Sequence, residues 1–191
     1  MSAPPTQLSF SLPDWLPPFM AAWPGGDDAA RMAFVIEAAR RNVAEGTGGP
    51  FAAAVFEAGS GRLVAFGVNR VVAEQVSMLH AEMLALALAQ RALGRADLGA
   101  AGAPALQLVT SVEPCAMCLG AVLWSGVGQV LSGATDADAR AIGFDEGPKP
   151  PDWTATLAER GIRVRAGVLR REARAVLEAY ARGGGPIYNP G

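Results

Sequence analysis

The sequence predicts a single α/β domain of three layers, α/β/α, in which a mixed sheet of about five strands lies between helices. Two observations carry this expectation. After an opening pair of short apolar runs joined by a tight turn, the later strand-like runs alternate with segments of helical period, the pattern of crossover connections in a sheet covered on both faces. The chain has 191 residues, enough for one ordinary domain that buries roughly 70% of its unfolded surface.

Residues 1–26 hold six of the fourteen prolines together with Trp15, Phe19 and Trp23. They are expected to form an extended arm packed on a surface, with no fold of its own, and residues 27–191 the domain proper. From Asp27 or Asp28, either suited as an N-cap, Met32, Val35, Ile36, Ala39 and Val43 recur at helical period as far as Gly46. Residues 51–57 and 63–69 flank the turn AGSG and read as a hairpin. LHAEMLALALAQRAL reads as a helix ending near Gly94, and LQLVTS at 106–111 as a buried strand. CAMCLGAVLW follows as a helix beginning at the cysteines, because Pro114 suits the approach to a helix better than its interior. QVLSGA and IRVRAGVL supply the fourth and fifth strands, REARAVLEAYAR a final helix, and GGGPIYNPG at 183–191 a loop tail. There is no internal repeat.

Fifteen arginines and one lysine face eighteen acids, for a formal charge of -2, so no overall positive field exists to hold a polyanion and no nucleic-acid partner is expected. The arginines between Arg160 and Arg182 are interleaved with Glu159, Glu172 and Glu178, as on a solvated helix face. Apolar stretches such as 83–89 fall far short of the roughly 20 residues that span a bilayer. The opening residues show no basic segment followed by an apolar core, so neither a membrane partner nor export is expected, and a cytoplasmic location follows. Cys115 and Cys118 are the only two cysteines. A disulfide across so short a loop would constrain little and would not persist under reducing conditions, which leaves metal or redox chemistry.

His80 is the single histidine. Zinc favours nitrogen and sulfur donors at tetrahedral geometry, and a catalytic site offers three protein ligands while leaving the fourth place to water. The one histidine and two cysteines stand at the starts of two expected helices, where the positive end of the helix favours thiolates. Glu82 adds a carboxylate able to move protons between water and a substrate. Residues i and i+2 point to nearly opposite sides of an ideal helix, so His80 is expected in the first turn, where geometry departs from ideal. Spacing alone leaves other readings open: a core histidine beside a redox pair, a closed structural zinc site with Glu82 as fourth ligand, or a noncatalytic zinc-stabilised binding module. The joint occurrence of H-A-E and P-C-A-M-C, separated by one strand, favours the catalytic arrangement.

His80-Ala81-Glu82 and Pro114-Cys115-Ala116-Met117-Cys118 resemble, without a gap, the H-x-E…P-C-x-x-C signature of zinc nucleobase deaminases in the cytidine deaminase superfamily. The fold of that superfamily is a five-stranded mixed sheet between helices. From about Arg31 onward the chain resembles bacterial guanine deaminases most, through GGPFAAAVF at 48–56, Asn69, TSVEPCAMCLGAVLWSG at 110–126 and AIGFDEGP at 141–148. A tail like PIYN resembles a subgroup that also deaminates the s-triazine ammeline. The resemblance implies one zinc ion per chain with a bound water, held by His80, Cys115 and Cys118, and Glu82 as proton shuttle. It implies Asn69 as a hydrogen-bonding partner of the base and Glu146 as a second carboxylate, with Asp145 the competing assignment. Phe51 and Trp124 become candidates to wall a flat ring. Tyr188 belongs to a tail that in this family can close the site, sometimes across a dimer interface, so a homodimer is implied. The implied reaction is hydrolysis of guanine to xanthine and ammonia, extending to ammeline. A tRNA adenosine deaminase and a cytosine deaminase share the zinc motif; acidic charge counts against the first, and GFDEGP against the second.

Overall fold

The computed structural model describes residues 5–189, so the first four residues of the arm and the last two of the tail lie outside the described residues. Five strands, β1 (Ala52–Glu57), β2 (Leu63–Val68), β3 (Leu106–Val112), β4 (Gln129–Ala134) and β5 (Arg163–Arg165), form one sheet in the order β2-β1-β3-β4-β5. β1 runs antiparallel to β2 and β3, whereas β3, β4 and β5 are mutually parallel. This is the five-stranded mixed sheet that the alternation of elements predicts.

Successive side chains of a strand point to opposite faces, and β1 shows the result. Ala52, Ala54 and Phe56 enter one core with α2 (Asp28–Ala44) and α8 (Arg170–Arg182). Ala53 and Val55 enter a second core with α4 (Ala81–Leu93), α5 (Ala116–Ser125) and α7 (Trp153–Ala158). The signals in the sequence hold locally. The Asp27 side chain caps α2 by accepting from the Ala30 N–H at 2.9 Å, and Gly94 ends α4 in the left-handed conformation.

Three further helices, α1 (Leu16–Ala21), α3 (Val71–Glu74) and α6 (Asp136–Arg140), and likewise α7, occupy segments without a helical expectation. The arm is therefore not wholly extended. Pro17 and Pro18 fall in the first turn of α1, where a missing N–H breaks no helical bond, and Leu16 is fully buried. Trp15 and Trp23 donate their indole N–H groups to Thr47 Oγ1 at 3.1 Å and the Gly61 carbonyl at 3.0 Å. β5 is shorter than the apolar run that predicts it, because Gly167 at φ +76° turns the chain away. No helix among the described residues is long and apolar enough to cross a membrane.

The strand directions decide where loops collect. Ala52 pairs with Val68 and Ala53 with Thr110, so the start of β1 lies beside the ends of β2 and β3. Phe51, Asn69, the start of α4, Cys115 and the loop that follows β4 and α6 therefore share one end of the sheet. In open α/β sheets, ligands bind at the carboxyl ends of the parallel strands.

Candidate active site

α4 is seated on β2 at Gly67. A Cβ on that glycine would stand 2.2 Å from the Ala81 carbonyl oxygen, so only glycine lets the first turn of α4 lie this close to the sheet. His80 is the N-cap of α4, with extended backbone at φ −69°, ψ 154°, and Glu82 lies within the first turn. The extended cap removes the difficulty posed by i, i+2 spacing: His80 is outside the helix, and both side chains reach the same cavity.

Cys115 is the N-cap of α5 and Cys118 its third residue. Side chains at these two positions converge on the helix start, the relation that capping pairs exploit, so the x-x spacing brings the sulfurs together. His80 Nδ1 lies 3.5 Å from Cys115 Sγ and 3.6 Å from Cys118 Sγ, and the three donor atoms fall within 4.8 Å of one another. A tetrahedral ion with Zn–S of about 2.3 Å and Zn–N of about 2.0–2.1 Å requires an N···S separation of about 3.6 Å. The donor set thus fits zinc in both chemistry and spacing. Glu82 does not join the converging donor group, which disfavours a closed four-ligand site.

The electrostatics divide the acids by role. The Cys115 thiol is lowered to about 4, first by its hydrogen bond with the Cys118 thiol, while that same bond and burial push Cys118 up. Glu82 is buried and raised, chiefly by loss of water and next by the Cys115 charge. Its Oε1 lies 3.2 Å from Thr110 Oγ1, whose other partner is the Val112 carbonyl at 3.0 Å. Glu146 is raised to about 8 by burial, then by the charges of Cys115 and Glu82.

These groups open onto a cavity of about 690 Å³ lined by Phe51, Asn69, His80, Glu82, Cys115 and Glu146 among others, within the range of small-molecule sites. Phe51 meets Phe144 edge to face at 4.8 Å, so its ring is a fixed part of the wall. The Asn69 side-chain oxygen accepts from the Val71 N–H at 3.3 Å, and its backbone carbonyl accepts from Asn42 Nδ2 at 3.0 Å.

Between the two neighbouring acids the geometry is asymmetric. The Asp145 carboxylate is exposed and accepts from the Gly147 N–H at 2.9 Å and Arg140 Nη1 at 3.2 Å, as a turn-forming group does. The Glu146 side chain is buried at the cavity. Tyr188 borders the cavity of its own chain, and Asn189 bonds the loop beneath it through the Asp145 N–H and the Gly143 carbonyl, both at 2.9 Å. Trp124 is a correction: it is 89% exposed and does not line the cavity. It shares a face of α5 with Met117, which does border the cavity, but stands two turns, about 10 Å, further along the helix axis.

Three polar residues without a sequence assignment support the site. Thr110 reaches Glu82, Lys149 bonds the carbonyl preceding Cys115, and Asn42 links Gly49 to Asn69. Only Asn42 left a signal, as a polar residue on the apolar stripe of α2 and fully buried.

With this geometry in place, comparison with known proteins identifies the class. The family model for the cytidine and deoxycytidylate deaminase zinc-binding region matches residues 26–134, and the chain belongs to this family. Among solved structures, a guanine deaminase from Nitrosomonas europaea is 48% identical with a TM-score of 0.89, covering 95% of this chain and 100% of that one. The protein NE0047 in complex with 2,6-diaminopurine is 50% identical with a TM-score of 0.86, covering 95% of this chain and 96% of that one. The guanine deaminase of Bacillus subtilis (strain 168) is 38% identical over 101 residues, 53% of this chain and 60% of that protein. The match therefore spans less than two thirds of the Bacillus enzyme's length.

Proposed function

We propose that the chain is a zinc-dependent guanine deaminase, converting free guanine and water to xanthine and ammonia in the cytoplasm. The observation that carries this reading is the meeting of two buried carboxyls, Glu82 and Glu146, beside the three converging zinc donors. One zinc per chain is held by His80, Cys115 and Cys118. When bound, it supplies the Lewis acidity that brings the pKa of a water near 7.

The remaining work falls to the chain. Asn69 and the Phe51 ring orient the base, and Glu82 takes a proton from the attacking water. The new C2–O bond forms as Glu82 returns that proton to ring N3. The second water proton reaches the exocyclic nitrogen through Glu82 or Glu146, the C2–N bond breaks, and ammonia departs. Burial suits both carboxyls to this work, since it raises Glu82 above the usual carboxylate range and Glu146 to about 8, favouring groups that hold a proton and pass it on. The Tyr188 tail borders the base, and ammeline, with an amino group on a comparable flat ring, is the second expected substrate.

Ammonia release from zinc-loaded protein supplied with guanine, ammeline, adenine, cytosine or a tRNA anticodon stem tests the reading. Release from guanine is expected. Its absence overturns the proposal, and release from the tRNA alone would replace it with the adenosine deaminase.

A homodimer is the expected assembly. Met117 and Trp124, four and three positions to either side of Ala121, give α5 an exposed apolar stripe, and α5 carries no charged residue. Light scattering is expected to read twice the 19.7 kDa chain mass, and Trp124→Glu to shift it toward one. A wild-type reading of a single chain would remove the dimer.

A further inference from the structure

We infer that Lys149 is a positioning residue for Glu146, an inference that rests on the role proposed for that carboxyl. Lys149 is the only lysine of the chain, and its side chain is 7% exposed. Its ammonium donates to the Pro114 carbonyl at 3.0 Å, lies 2.9 Å from Asp136 Oδ1 and stands 3.9 Å from Glu113 Oε2. An ammonium is a compact charge with three N–H donors, whereas a guanidinium is a planar fork. A carbonyl and two carboxylates, from Glu113-Pro114 on one side and Asp136 on the other, surround the charge and suit the first, in a chain that otherwise uses arginine throughout.

These contacts tie the segment carrying Glu146 to the segment carrying Cys115. Pro114 immediately precedes Cys115, and the Glu146 carbonyl accepts from the Ala116 N–H at 2.9 Å. Asp136 is the hub of a second grip. Its Oδ2 accepts from Arg140 Nε at 2.6 Å, and Arg140 also donates to Asp145 Oδ1 at 3.2 Å and the Gly147 carbonyl at 2.8 Å. Arg140 and Lys149 thus both converge on Asp136 and hold the loop on either side of Glu146. Neither cation lines the cavity. Lys149 therefore acts by fixing where the Glu146 carboxyl stands relative to Glu82 and the zinc donors.

A double-mutant cycle on guanine turnover separates positioning from mere support of the fold. Lys149→Met is expected to lower kcat roughly 10- to 100-fold, the sensitivity of a reaction to small misplacement, with zinc content unchanged. In a Glu146→Gln background the same substitution is expected to change kcat by no more than about twofold, since both changes then remove one contribution. An unchanged kcat in Lys149→Met, or losses that multiply in the double variant, overturns the inference. Should Lys149→Met fail to fold, Asp136→Asn takes its place in the cycle with the same expected non-additivity. A wild-type protein that does not deaminate guanine overturns the proposed function; an active wild type with multiplying losses overturns the role of Lys149 alone.

Discussion

Glu82→Gln is expected to lower kcat for ammonia release by about 10² to 10⁴ while the protein keeps its zinc. The amide has the shape of the carboxyl and can still accept from Thr110, which stands 3.2 Å from Glu82 Oε1. What it lacks is the ability to take a proton from water and give it back. Burial already disfavours the charged carboxylate here, so a neutral amide adds no desolvation cost and the thermal midpoint should not fall. Zinc content by elemental analysis, read beside kcat, gives the result its meaning. Loss of metal would mark Glu82 as a ligand, and turnover near the wild-type rate would leave a zinc-stabilised binding module as the better description.

Removing the metal is expected to abolish turnover and lower stability together. Cys118 is fully buried and held between Cys115, His80 and α5, so Cys118→Ala takes away one of three donors without opening a polar surface. Where free zinc exceeds its dissociation constant a thousandfold, the native state gains about 4 kcal/mol from binding. In a chain of this size that corresponds to a fall in the thermal midpoint of roughly 8–16 °C on removal. Calorimetry before and after chelation, and again after adding zinc back, reads the loss and its recovery. A Cys118→Ala protein with a full zinc complement and normal turnover would contradict the ligand set.

The sequence made the periodic elements legible because their patterns are local. Asp27 as a cap, the AGSG hairpin turn and Gly94 as a stop each act within a few residues, and each stands where expected. The arm was less readable. Its prolines suggested an extended chain, but Pro17 and Pro18 occupy the positions of a helix start that tolerate them, and the burial of Leu16 depends on a surface built by distant segments. The candidate zinc donors were legible by scarcity, one histidine and two cysteines in recognisable spacing. Trp124 was not, since the sequence does not announce how far along α5 the cavity extends beyond Met117. Lys149, Arg140 and Asp136 were equally silent, because their meaning lies in contacts among three connections of the sheet.

The close seating of α4 on Gly67 also bears on how such a protein can change over generations. His80 caps, and Glu82 stands on, a helix locked to the sheet by backbone contact, while Glu146 stands in a loop held largely by side chains. Drift in the loop moves Glu146 relative to Glu82, whereas drift at Gly67 displaces His80 and Glu82 together. The two buried carboxyls are thus inherited on separate supports, one fixed by backbone contact with the sheet and one by side chains.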